Sequence, residues 1–473
     1  MKNKLNYIHL LLFFITASFL TVSCGKNSAD EGPDDDPTGG NRPSIASISP
    51  ERGTAGTIIT LTGTGFGSDP SDVRVQFSSV EVRTVISVTD TQIEVEAPAG
   101  FSDRTVNVRA IASKASSNVV DFYYIDATAP SITSTTATCF YNSSVVIIGS
   151  NFSPNKDDNI VKFGTVEATV TEASRTSLTV TTPDLGDATD VDITVTKFDL
   201  ISNAHNITVD IDQNKVATYA WTTHIVRSGV EYKTGEFSLF GSDIRKIHVL
   251  DVTLNETNTL GIGFNDPGKS TVALCRDNEA IAGVNAGYFP LGGASDKDPY
   301  IRINGTTIQD GHLGVSQIFT NSALLIHNNV ATIRKFTESG TNLNQTAAAI
   351  PVSEAENIIV CGPMLIVDGV IENLNMETGH NNAITGRTGL GVTADGKQVF
   401  MVVIEYRTNG TTPPKGMTTL ELAKVLQALG SINAMNLDGG GSSTMFVEGQ
   451  GTDGRVSVNG SSMRSIRSVI YVK

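Results

Sequence analysis

Short runs of alternating apolar and polar residues, divided by Gly, Pro, Asp and Ser, fill the chain between residues 43 and 210. Each alternation, such as that at residues 57–62, is typical of a half-buried strand. The pattern occurs twice, because the turn Gly63-Thr64-Gly65-Phe66 returns as Gly149-Ser150-Asn151-Phe152 and three other blocks return at nearly the same offset. Two antiparallel β-sandwiches are therefore predicted, at residues 43–126 and 127–211.

The pattern changes beyond residue 211. Apolar runs predict strands at residues 244–252, 281–285, 323–327, 358–360, 364–367, 390–393 and 399–406. One segment has helical spacing instead: Leu422, Val425 and Leu429 follow the capping box Thr418-Thr419-Leu420-Glu421, and the run stops at Gly430. Strands with a helix packed on their sheet predict a mixed α+β domain at residues 212–473.

One stretch of this domain, Asn436-Leu437-Asp438-Gly439-Gly440-Gly441-Ser442-Ser443-Thr444, separates two apolar runs and predicts strand, bare loop and strand. Three successive glycines cost conformational entropy on folding, so they indicate positive φ angles or close approach of a ligand to the backbone. The N–H groups and hydroxyls of this loop suit an anion or a sugar. The alternative is a tight turn capped by Asp438. Loops of the same Gly-plus-polar character are predicted at residues 285–289, 362–363 and 387–391.

The first residues have the pattern of a secretory signal at residues 1–23, since Lys2 and Lys4 precede an apolar run. Cys24 follows a small residue at the end of that run, as the lipidated cysteine of a bacterial lipoprotein does. The alternative is an ordinary signal peptide with an unmodified Cys24. Residues 24–42 are acidic and rich in Gly and Pro, which predicts a disordered tether. We expect an exported, lipid-anchored protein of the bacterial cell envelope, at the outer membrane or cell surface.

The formal net charge of -15 and the pI near 4.9 argue against nucleic acid or an anionic membrane surface as a partner. Contact with a membrane is expected only through the lipid anchor. Of the cysteines after Cys24, an oxidising compartment permits a disulfide between Cys275 and Cys361. Both of these, however, lie in apolar runs, which favour buried free thiols.

Both repeats resemble the immunoglobulin-like IPT/TIG module. The likeness rests on Ser47-Ile48-Ser49-Pro50, on the Gly-x-Gly-Phe turn and on a strand that ends in Ala97-Pro98 or Thr182-Pro183. The resemblance implies a spacer or a platform that docks glycan or protein.

The chain from about residue 245 to residue 473 resembles the phosphodiester glycosidase family. The motifs that carry the resemblance are Asn285-Ala286-Gly287-Tyr288-Phe289, Asn304-Gly305, Gly362-Pro363, Arg387-Thr388-Gly389-Leu390-Gly391, the Asn436 to Thr444 stretch, and Arg464 before the last strand. It implies hydrolysis of the bond between a sugar C1 and a phosphodiester oxygen, with an N-acetylglucosamine-1-phosphodiester-like substrate.

Phosphate is a good leaving group, so a phosphate clamp and stabilisation of an oxocarbenium-like sugar contribute more to catalysis of such a reaction than general-acid help does. Arg387 fits the clamp because a guanidinium binds phosphate oxygens in bidentate fashion; its alternative is a structural arginine. The further substrate- or phosphate-binding residues implied are Asn285, Gly287, Tyr288, His312, Gly439, Gly440, Ser442, Ser443, Thr444 and Arg464. His312 and His380 lie in polar loops, where a histidine is a donor to phosphate, an acid, or simply solvated.

Asp438 and Glu405 are the expected catalytic carboxylates, which activate water or attack C1. Their alternatives are a loop cap for Asp438 and a salt-bridged strand residue for Glu405. A separation of roughly 5 Å would predict retention at C1 and roughly 7 to 9 Å inversion.

No cofactor is predicted, since no His, Cys and Asp grouping has zinc-ligand spacing. A divalent ion held by Asp438 and substrate oxygens stays open. Two other classes of protein also stay open. One is a non-catalytic glycan-binding surface protein in which Glu405 points into the core, and the other is a metal-dependent phosphodiesterase that cleaves P–O instead of C–O.

Overall fold

The computed structural model describes residues 42–241, 243–289, 299–311, 320–336, 343–374, 378–406, 414–457 and 463–473. The chain divides into two compact units, residues 1–126 and residues 127–473. None of the helices in those described ranges is long and apolar enough to cross a membrane.

The first unit is a β-sandwich. Its strands are β1 (Ser44–Ser49), β2 (Arg52–Gly53), β3 (Ile58–Thr64), β4 (Val73–Phe77), β5 (Val80–Val82), β6 (Ser87–Thr89), β7 (Gln92–Glu96), β8 (Arg104–Ala112), β9 (Ala115–Ser116) and β10 (Val120–Tyr124). They form one sheet of order β1-β3-β7-β6 and another of order β2-β10-β8-β4-β5, with β9 on β8. Alternate residues point inward, as Ile59 and Leu61 of β3 do, and the rings of Phe77, Phe122 and Tyr124 pack edge to face in the core.

The second unit begins with the repeat of this sandwich. Its strands are β11 (Ser131–Thr135), β12 (Thr138–Cys139), β13 (Ser144–Ser150), β14 (Asn159–Phe163), β15 (Val166–Ala173), β16 (Ser177–Thr181), β17 (Asp190–Lys197), β18 (Leu200–Ile201) and β19 (His205–Val209). The repeated Gly-x-x-Phe turn has a steric origin. A Cβ on Gly63 or Gly149 would lie 1.9 or 2.0 Å from the carbonyl oxygen of Ser44 or Ser131, and 2.6 or 2.5 Å from the ring of Phe66 or Phe152.

The rest of the second unit is mixed. Its strands are β20 (Thr222–Arg227), β21 (Val230–Ser238), β22 (Ile244–Thr253), β23 (Leu260–Lys269), β24 (Ala282–Asn285), β25 (Ile301–Ile303), β26 (Thr306–Gln309), β27 (Ser322–His327), β28 (Val330–Lys335), β29 (Asn357–Cys361), β30 (Met364–Val367), β31 (Val370–Ile371), β32 (Arg387–Val392), β33 (Gln398–Ile404), β34 (Asn433–Asn436), β35 (Met445–Val447) and β36 (Ile466–Val472). The helices are α1 (Ile211–Thr218), α2 (Thr271–Asp277), α3 (Leu343–Ala348), α4 (Thr378–Asn381) and α5 (Thr419–Ala428).

These elements stack in layers. The large sheet has the order β20-β21-β22-β33-β32-β34-β30-β31, and its inner face packs on the sheet β23-β36-β24-β35 and the sheet β26-β25-β29-β27-β28. Its outer face packs on α5, which begins with the predicted capping box: the Thr418 side chain accepts from the N–H of Glu421, whose carboxylate accepts from the N–H of Thr418. The predicted arrangement of two immunoglobulin-like sandwiches followed by a mixed α+β domain is thereby confirmed.

The predicted loop at residues 387–391 is wrong, because these residues are the strand β32. Its glycines make room for α5 instead of a ligand. A Cβ on Gly389 would lie 3.0 Å from Leu426 Cδ1, and one on Gly391 would lie 2.0 Å from Ser431 Oγ. The strand and the helix can therefore approach closely only with glycine at these positions.

Helix α1 joins the second sandwich to the mixed domain. Asp210, its N-cap, pairs with Lys424 of α5 at 2.6 Å, and Gln213 donates to the side chain of Gln427 at 2.6 Å. Val216 is fully buried in the core between α5 and the large sheet. On its other side, Asn214 accepts from the N–H of Tyr141 and donates to the carbonyl of Gly186. The second sandwich is therefore packed against the mixed domain within one unit.

Candidate active site

The candidate site lies where two sheets meet at their strand ends. β24 ends at Asn285 in the smaller sheet, and β34 ends at Asn436 in the large sheet. The N–H of Asp438 donates to the carbonyl of Ala286 at 2.8 Å, so the chain segments after the two strands are hydrogen-bonded to each other. The predicted order of strand, loop and strand around Asp438 is confirmed, with β35 resuming at Met445.

Asn285 is fully buried beneath this junction. Its Oδ1 accepts from the hydroxyl of Thr388 at 2.8 Å and from the N–H of Thr444 at 3.0 Å, and its Nδ2 donates to the carbonyl of Asp438 at 2.7 Å. Asn285 thus ties β24, β32 and the residue that precedes β35 to the backbone of Asp438. Predicted as a substrate-binding residue, it instead has its side chain engaged with the protein.

The Asp438 carboxylate is partly buried. Burial raises its pKa from 3.8 to about 6, and hydrogen bonds from the Ser442 side chain and the Gly439 N–H together with the charge of Arg464 limit that rise. The group is therefore mostly ionised at neutral pH and is poised to take up a proton.

The glycine loop after Asp438 folds back on itself as a 3-10 turn over Gly440–Ser442. Gly440 has φ +61 and donates its N–H to the carbonyl of Gly386 at 2.7 Å. The N–H groups of Ser442 and Ser443 donate to Gly439 and Gly440 at 3.2 Å each. All three N–H groups donate hydrogen bonds within the protein. They therefore do not form the backbone cradle for phosphate that the sequence predicted.

Arg464 is an exposed cation beside Asp438. Its Nη1 donates to the Ser442 hydroxyl at 3.3 Å, and a Cβ on Gly441 would lie 2.9 Å from its Nη2. Gly441 thus leaves room for the guanidinium over the loop. Arg464, Ser442 and Asp438 form one contiguous group.

Arg387 is placed differently from the expectation. Its side chain is buried, Nε donates to the carbonyl of Met417 at 2.9 Å, and Nη2 donates to the carbonyls of His380 and Ala383 at 2.7 Å each. These bonds use three of its five N–H groups, so the guanidinium holds the segment from His380 to Ala383 against the start of α5. The structural alternative describes Arg387 better than a bidentate phosphate clamp does.

Glu405 lies inside the core and is only 3% exposed. Its Oε1 accepts from His248 Nε2 at 2.8 Å and lies 3.5 Å from Lys246 Nζ. His248 Nδ1 in turn lies 2.8 Å from the Tyr232 hydroxyl, and burial lowers the pKa of His248. A carboxylate enclosed in this way does not reach the C1 atom of a sugar, which argues against Glu405 as the second catalytic carboxylate.

Tyr288 is the centre of a polar cluster. Its hydroxyl donates to the carbonyl of Gly362 at 2.8 Å, accepts from Asn436 Nδ2 at 3.0 Å and lies 3.1 Å from His380 Nε2. Burial raises the pKa of Tyr288 well above its usual value, with the charge of Asp438 adding to the rise. The phenol is therefore neutral at physiological pH and orders the wall of the site beside Asp438.

Two further residues belong to this cluster. Asn436 was not assigned to the site from the sequence, and His380 was left open there as a phosphate donor, an acid or a solvated histidine. Asn436 lies in the Asn436-Leu437-Asp438 motif, so its signal was present in the sequence. His380 stands alone in a polar loop, and its meaning depends on Tyr288, 92 positions away. Local sequence carries no signal for such a pair.

The remaining predicted residues are placed as follows. Gly287 donates its N–H to the Ser468 hydroxyl at 2.9 Å, and a Cβ there would lie 3.0 Å from Pro299, so its role is close packing. Ser443 and Thr444 are buried. His312 and Cys24 lie outside the described residues. Cys139, Cys275 and Cys361 are buried free thiols. No group of three or more His, Cys, Asp and Glu side chains suited to a metal ion occurs in the described ranges.

Comparisons with known proteins match two parts of the chain. The family model described as phosphodiester glycosidase matches residues 278–473, and the IPT/TIG domain model matches residues 43–124 and 130–224. Residues 225–277, which neither model covers, contain β21, β22 and β23. A search of curated proteins found no match.

Among solved structures, the catalytic domain of zebrafish N-acetylglucosamine-1-phosphodiester alpha-N-acetylglucosaminidase, auto-inhibited by its pro-peptide, is 17% identical, with 54% of this chain and 88% of that chain covered and a TM-score of 0.38. A hypothetical protein from Synechocystis is 14% identical over 88% of this chain and 94% of that chain, with a TM-score of 0.36. SGBP-B from a xyloglucan utilization locus of Bacteroides uniformis is 14% identical over 76% and 97%, with a TM-score of 0.19. The chain carries two immunoglobulin-like IPT/TIG domains followed by a phosphodiester glycosidase domain.

Proposed function

We propose that the chain is a hydrolase that cleaves a sugar-1-phosphodiester, with an N-acetylglucosamine-1-phosphodiester-like compound as its substrate. The match to the phosphodiester glycosidase family supports the reaction class. The observation that carries the proposal is the Asp438 carboxylate, whose pKa is raised to about 6, next to the Ser442 hydroxyl and the exposed guanidinium of Arg464. This arrangement combines a proton acceptor with a cation that suits a phosphate.

In the reaction, the bond between C1 and the phosphate oxygen breaks, and its electron pair leaves with the phosphate monoester. Arg464 and the Ser442 hydroxyl bind the phosphate, so that negative charge developing on the leaving oxygen is stabilised. Asp438 accepts the proton of the water that adds to C1, since it is mostly ionised above about pH 6. The good leaving group reduces the need for a second carboxylate, which agrees with the burial of Glu405.

The test is turnover by the full chain with a panel of sugar-1-phosphodiesters, including N-acetylglucosamine-1-phosphodiester. We expect Asp438→Asn to lower kcat/KM by two orders of magnitude or more, since it removes the base. Glu405→Gln is the matched carboxylate variant, and we expect its kcat/KM to stay within about threefold because Gln can still accept from His248. Absence of turnover with every compound, or full activity of Asp438→Asn, would overturn the reaction or the residue respectively.

Hydrolysis in oxygen-18 water identifies the bond that breaks. Cleavage between C1 and oxygen places the label in the sugar, whereas cleavage between phosphorus and oxygen places it in the phosphate. Label in the phosphate would replace the proposed reaction with phosphodiesterase chemistry. Repeating the assay after chelation of divalent ions tests whether a metal takes part.

A second candidate is a glycan-binding protein without catalysis. The observation that favours it is the enclosure of Glu405 by His248 and Lys246, which leaves Asp438 without its expected carboxylate partner. It predicts saturable binding of a sugar or sugar phosphate with no product after prolonged incubation. Calorimetry on Asp438→Asn separates the two, because a binding protein would lose affinity while an inactive hydrolase would keep its substrate bound.

We also propose that the chain is exported and anchored in the bacterial cell envelope by a lipid on Cys24, with the IPT/TIG domains docking protein or glycan or acting as spacers. The N-terminal sequence pattern supports the anchor. Metabolic labelling with a fatty-acid analogue tests it, since Cys24→Ser should abolish the label. Persistence of the label in that variant would show that the anchor is elsewhere.

A further inference from the structure

The three successive glycines of the site meet three different requirements. Gly440 has φ +61, a backbone conformation that favours glycine. A Cβ on Gly439 would lie 2.9 Å from the carbonyl oxygen of Gly386, a backbone atom that already accepts from the N–H of Gly440. Gly441 shows no φ in the left-handed region, and the three heavy atoms nearest to its Cβ position all belong to Arg464. The side chain that Gly441 lacks therefore makes room for Arg464.

The guanidinium of Arg464 lies with its flat face against Gly441. A Cβ on Gly441 would lie 2.9 Å from Nη2, 3.2 Å from Cζ and 3.4 Å from Nε. Three atoms of one planar group at such similar distances from one point place that point above the plane and not beyond its edge. A side chain at position 441 would push the guanidinium off the loop, so only glycine lets it approach this closely.

This stacking leaves one edge of the guanidinium for a ligand. Nη1 of Arg464 donates to the Ser442 hydroxyl at 3.3 Å, and that hydroxyl is hydrogen-bonded to the Asp438 carboxylate. Among the hydrogen bonds between described residues, this is the one that Arg464 donates. Its Nε and Nη2 therefore keep their hydrogens for a ligand, and two parallel N–H groups on one edge match two oxygens of a phosphate.

We propose that Gly441 is a positioning residue for phosphate binding, because its bare backbone holds the Arg464 guanidinium in the orientation that offers the Nε and Nη2 edge to a phosphodiester anion. Arg464 is exposed, and an exposed arginine loses side-chain entropy when a ligand fixes it. Contact with Gly441 fixes the guanidinium before the ligand arrives, so less affinity is lost on binding. The choice of ligand rests on the proposed function.

The test is binding of dimethyl phosphate, a phosphodiester monoanion that has no sugar to be hydrolysed, to the full chain. Ligand-observed NMR on its methyl resonance measures the Kd. We expect the Kd of Gly441→Ala to be roughly five- to tenfold higher, because the displaced guanidinium loses its two-point contact. Gly379→Ala is the matched control and should leave the Kd unchanged, since a Cβ there meets nothing within 4 Å. An equal Kd for Gly441→Ala, or no binding by the unaltered chain, would overturn the proposal.

A double-mutant cycle shows whether Gly441 acts through Arg464. Glutamine at position 464 lacks the guanidinium that the new methyl group would displace. Gly441→Ala should therefore change the Kd by less than about twofold when Arg464→Gln is already present. A loss of the same size in both backgrounds would show that the methyl group acts independently of Arg464, and the proposal would be wrong.

Steady-state kinetics with a sugar-1-phosphodiester adds a second readout. In Gly441→Ala the larger part of the effect should fall on KM, and the urea midpoint should not fall, because the methyl group meets the end of a movable side chain and not backbone. A loss confined to kcat, or a lower urea midpoint with an unaltered KM, would assign Gly441 to the fold of the loop instead. Absence of turnover with every sugar-1-phosphodiester, with the difference in Kd intact, would overturn the proposed hydrolysis and leave this inference standing.

Discussion

The side-chain amide of Asn285 donates to the backbone carbonyl of Asp438 at 2.7 Å, although the two residues are 153 positions apart. The same side chain accepts from Thr388 and from the N–H of Thr444. One buried amide therefore fixes the backbone on which the reactive carboxylate stands. It organises the site without itself being available to a substrate.

Replacing Asn285 by Ala should lower both stability and activity. The change leaves the Asp438 carbonyl, the Thr388 hydroxyl and the Thr444 N–H without their buried partner, which should cost about 3 kcal/mol of unfolding free energy. Urea unfolding measures the loss. Asn206→Ala is the matched control, because Asn206 is exposed and bonds only surface aspartates, and it should change stability by less than about 0.5 kcal/mol. Equal stability of the two variants would contradict the role of Asn285 in holding the backbone of Asp438.

The raised pKa of Asp438 makes this residue a source of instability at neutral pH. Its folded-state pKa of about 6 exceeds the ordinary value of 3.8, so between these pH values the folded state binds more protons than the unfolded state. Stability from this group is therefore greatest below about pH 4 and is lost as pH rises through 6. After allowance for its partial exposure, the loss is of the order of 1 to 2 kcal/mol.

Asp438→Asn removes this loss, so the inactive variant should be more stable than the unaltered chain by that amount at pH 7.5, and the difference should vanish near pH 4. Urea unfolding of both proteins at the two pH values provides the check, since the titration of all other groups cancels in the difference. A variant less stable at pH 7.5 would show that the carboxylate is not penalised by burial.

Arg464 and Arg387 should respond in opposite ways to the same substitution. Arg464→Gln removes an exposed cation, so we expect KM to rise about tenfold or more with little change in stability. It should also move the acidic limb of the pH–rate profile upward, because Arg464 lowers the pKa of Asp438. Arg387→Gln should cost about 3 kcal/mol or more, because it removes a buried cation from three carbonyl acceptors.

Steady-state kinetics and urea unfolding of both arginine variants separate the two roles. Arg467→Gln is the control for removal of a partly exposed arginine, since Arg467 pairs with Asp266 at 3.4 Å. If Arg387→Gln were as stable as the unaltered chain and raised KM, Arg387 would be the phosphate ligand after all.

The contact of α1 with α5 should be energetically important. Val216→Ala opens a cavity in the core that the helix shares with α5, and it should cost about 2 kcal/mol. Val146→Ala, on the exposed face of β13, should be nearly neutral. A chain that starts at residue 212 should melt at lower temperature than one that starts at residue 127, because it lacks Asp210 and the residues that hold Asn214. Equal melting temperatures would show that the second sandwich adds no stability to the mixed domain.

The elements of this fold follow closely from local sequence. Alternation and turn residues are enough to predict the sandwiches, and the capping box at Thr418 is enough to predict the start of α5. Both signals act within a few residues. The seven-residue helix α2 could not be separated from a strand in this way, because its apolar run is too short to show a period.

The site was predictable where a side chain lies in a loop and not where it lies in a strand. Asp438 and Arg464 follow or precede strands, and their loops carry them to the surface of the site. Arg387 is the first residue of β32, where the alternation of side chains sends Thr388 to Asn285 and Arg387 to the face covered by α5. That assignment depends on the pairing of strands far apart in sequence, which no local pattern contains.

The buried cysteines give this molecule its own reporters of local opening. Cys139 lies in the core of the second sandwich, Cys275 on the buried face of α2, and Cys361 at the end of β29 with its Sγ 3.9 Å from the carbonyl of Ala286. A thiol reacts with an alkylating agent only when its surroundings part, so the three modification rates read three separate opening free energies. The Cys361 thiol, which contacts Ala286, reports how often the backbone that is hydrogen-bonded to Asp438 opens locally. No added probe is needed for this measurement.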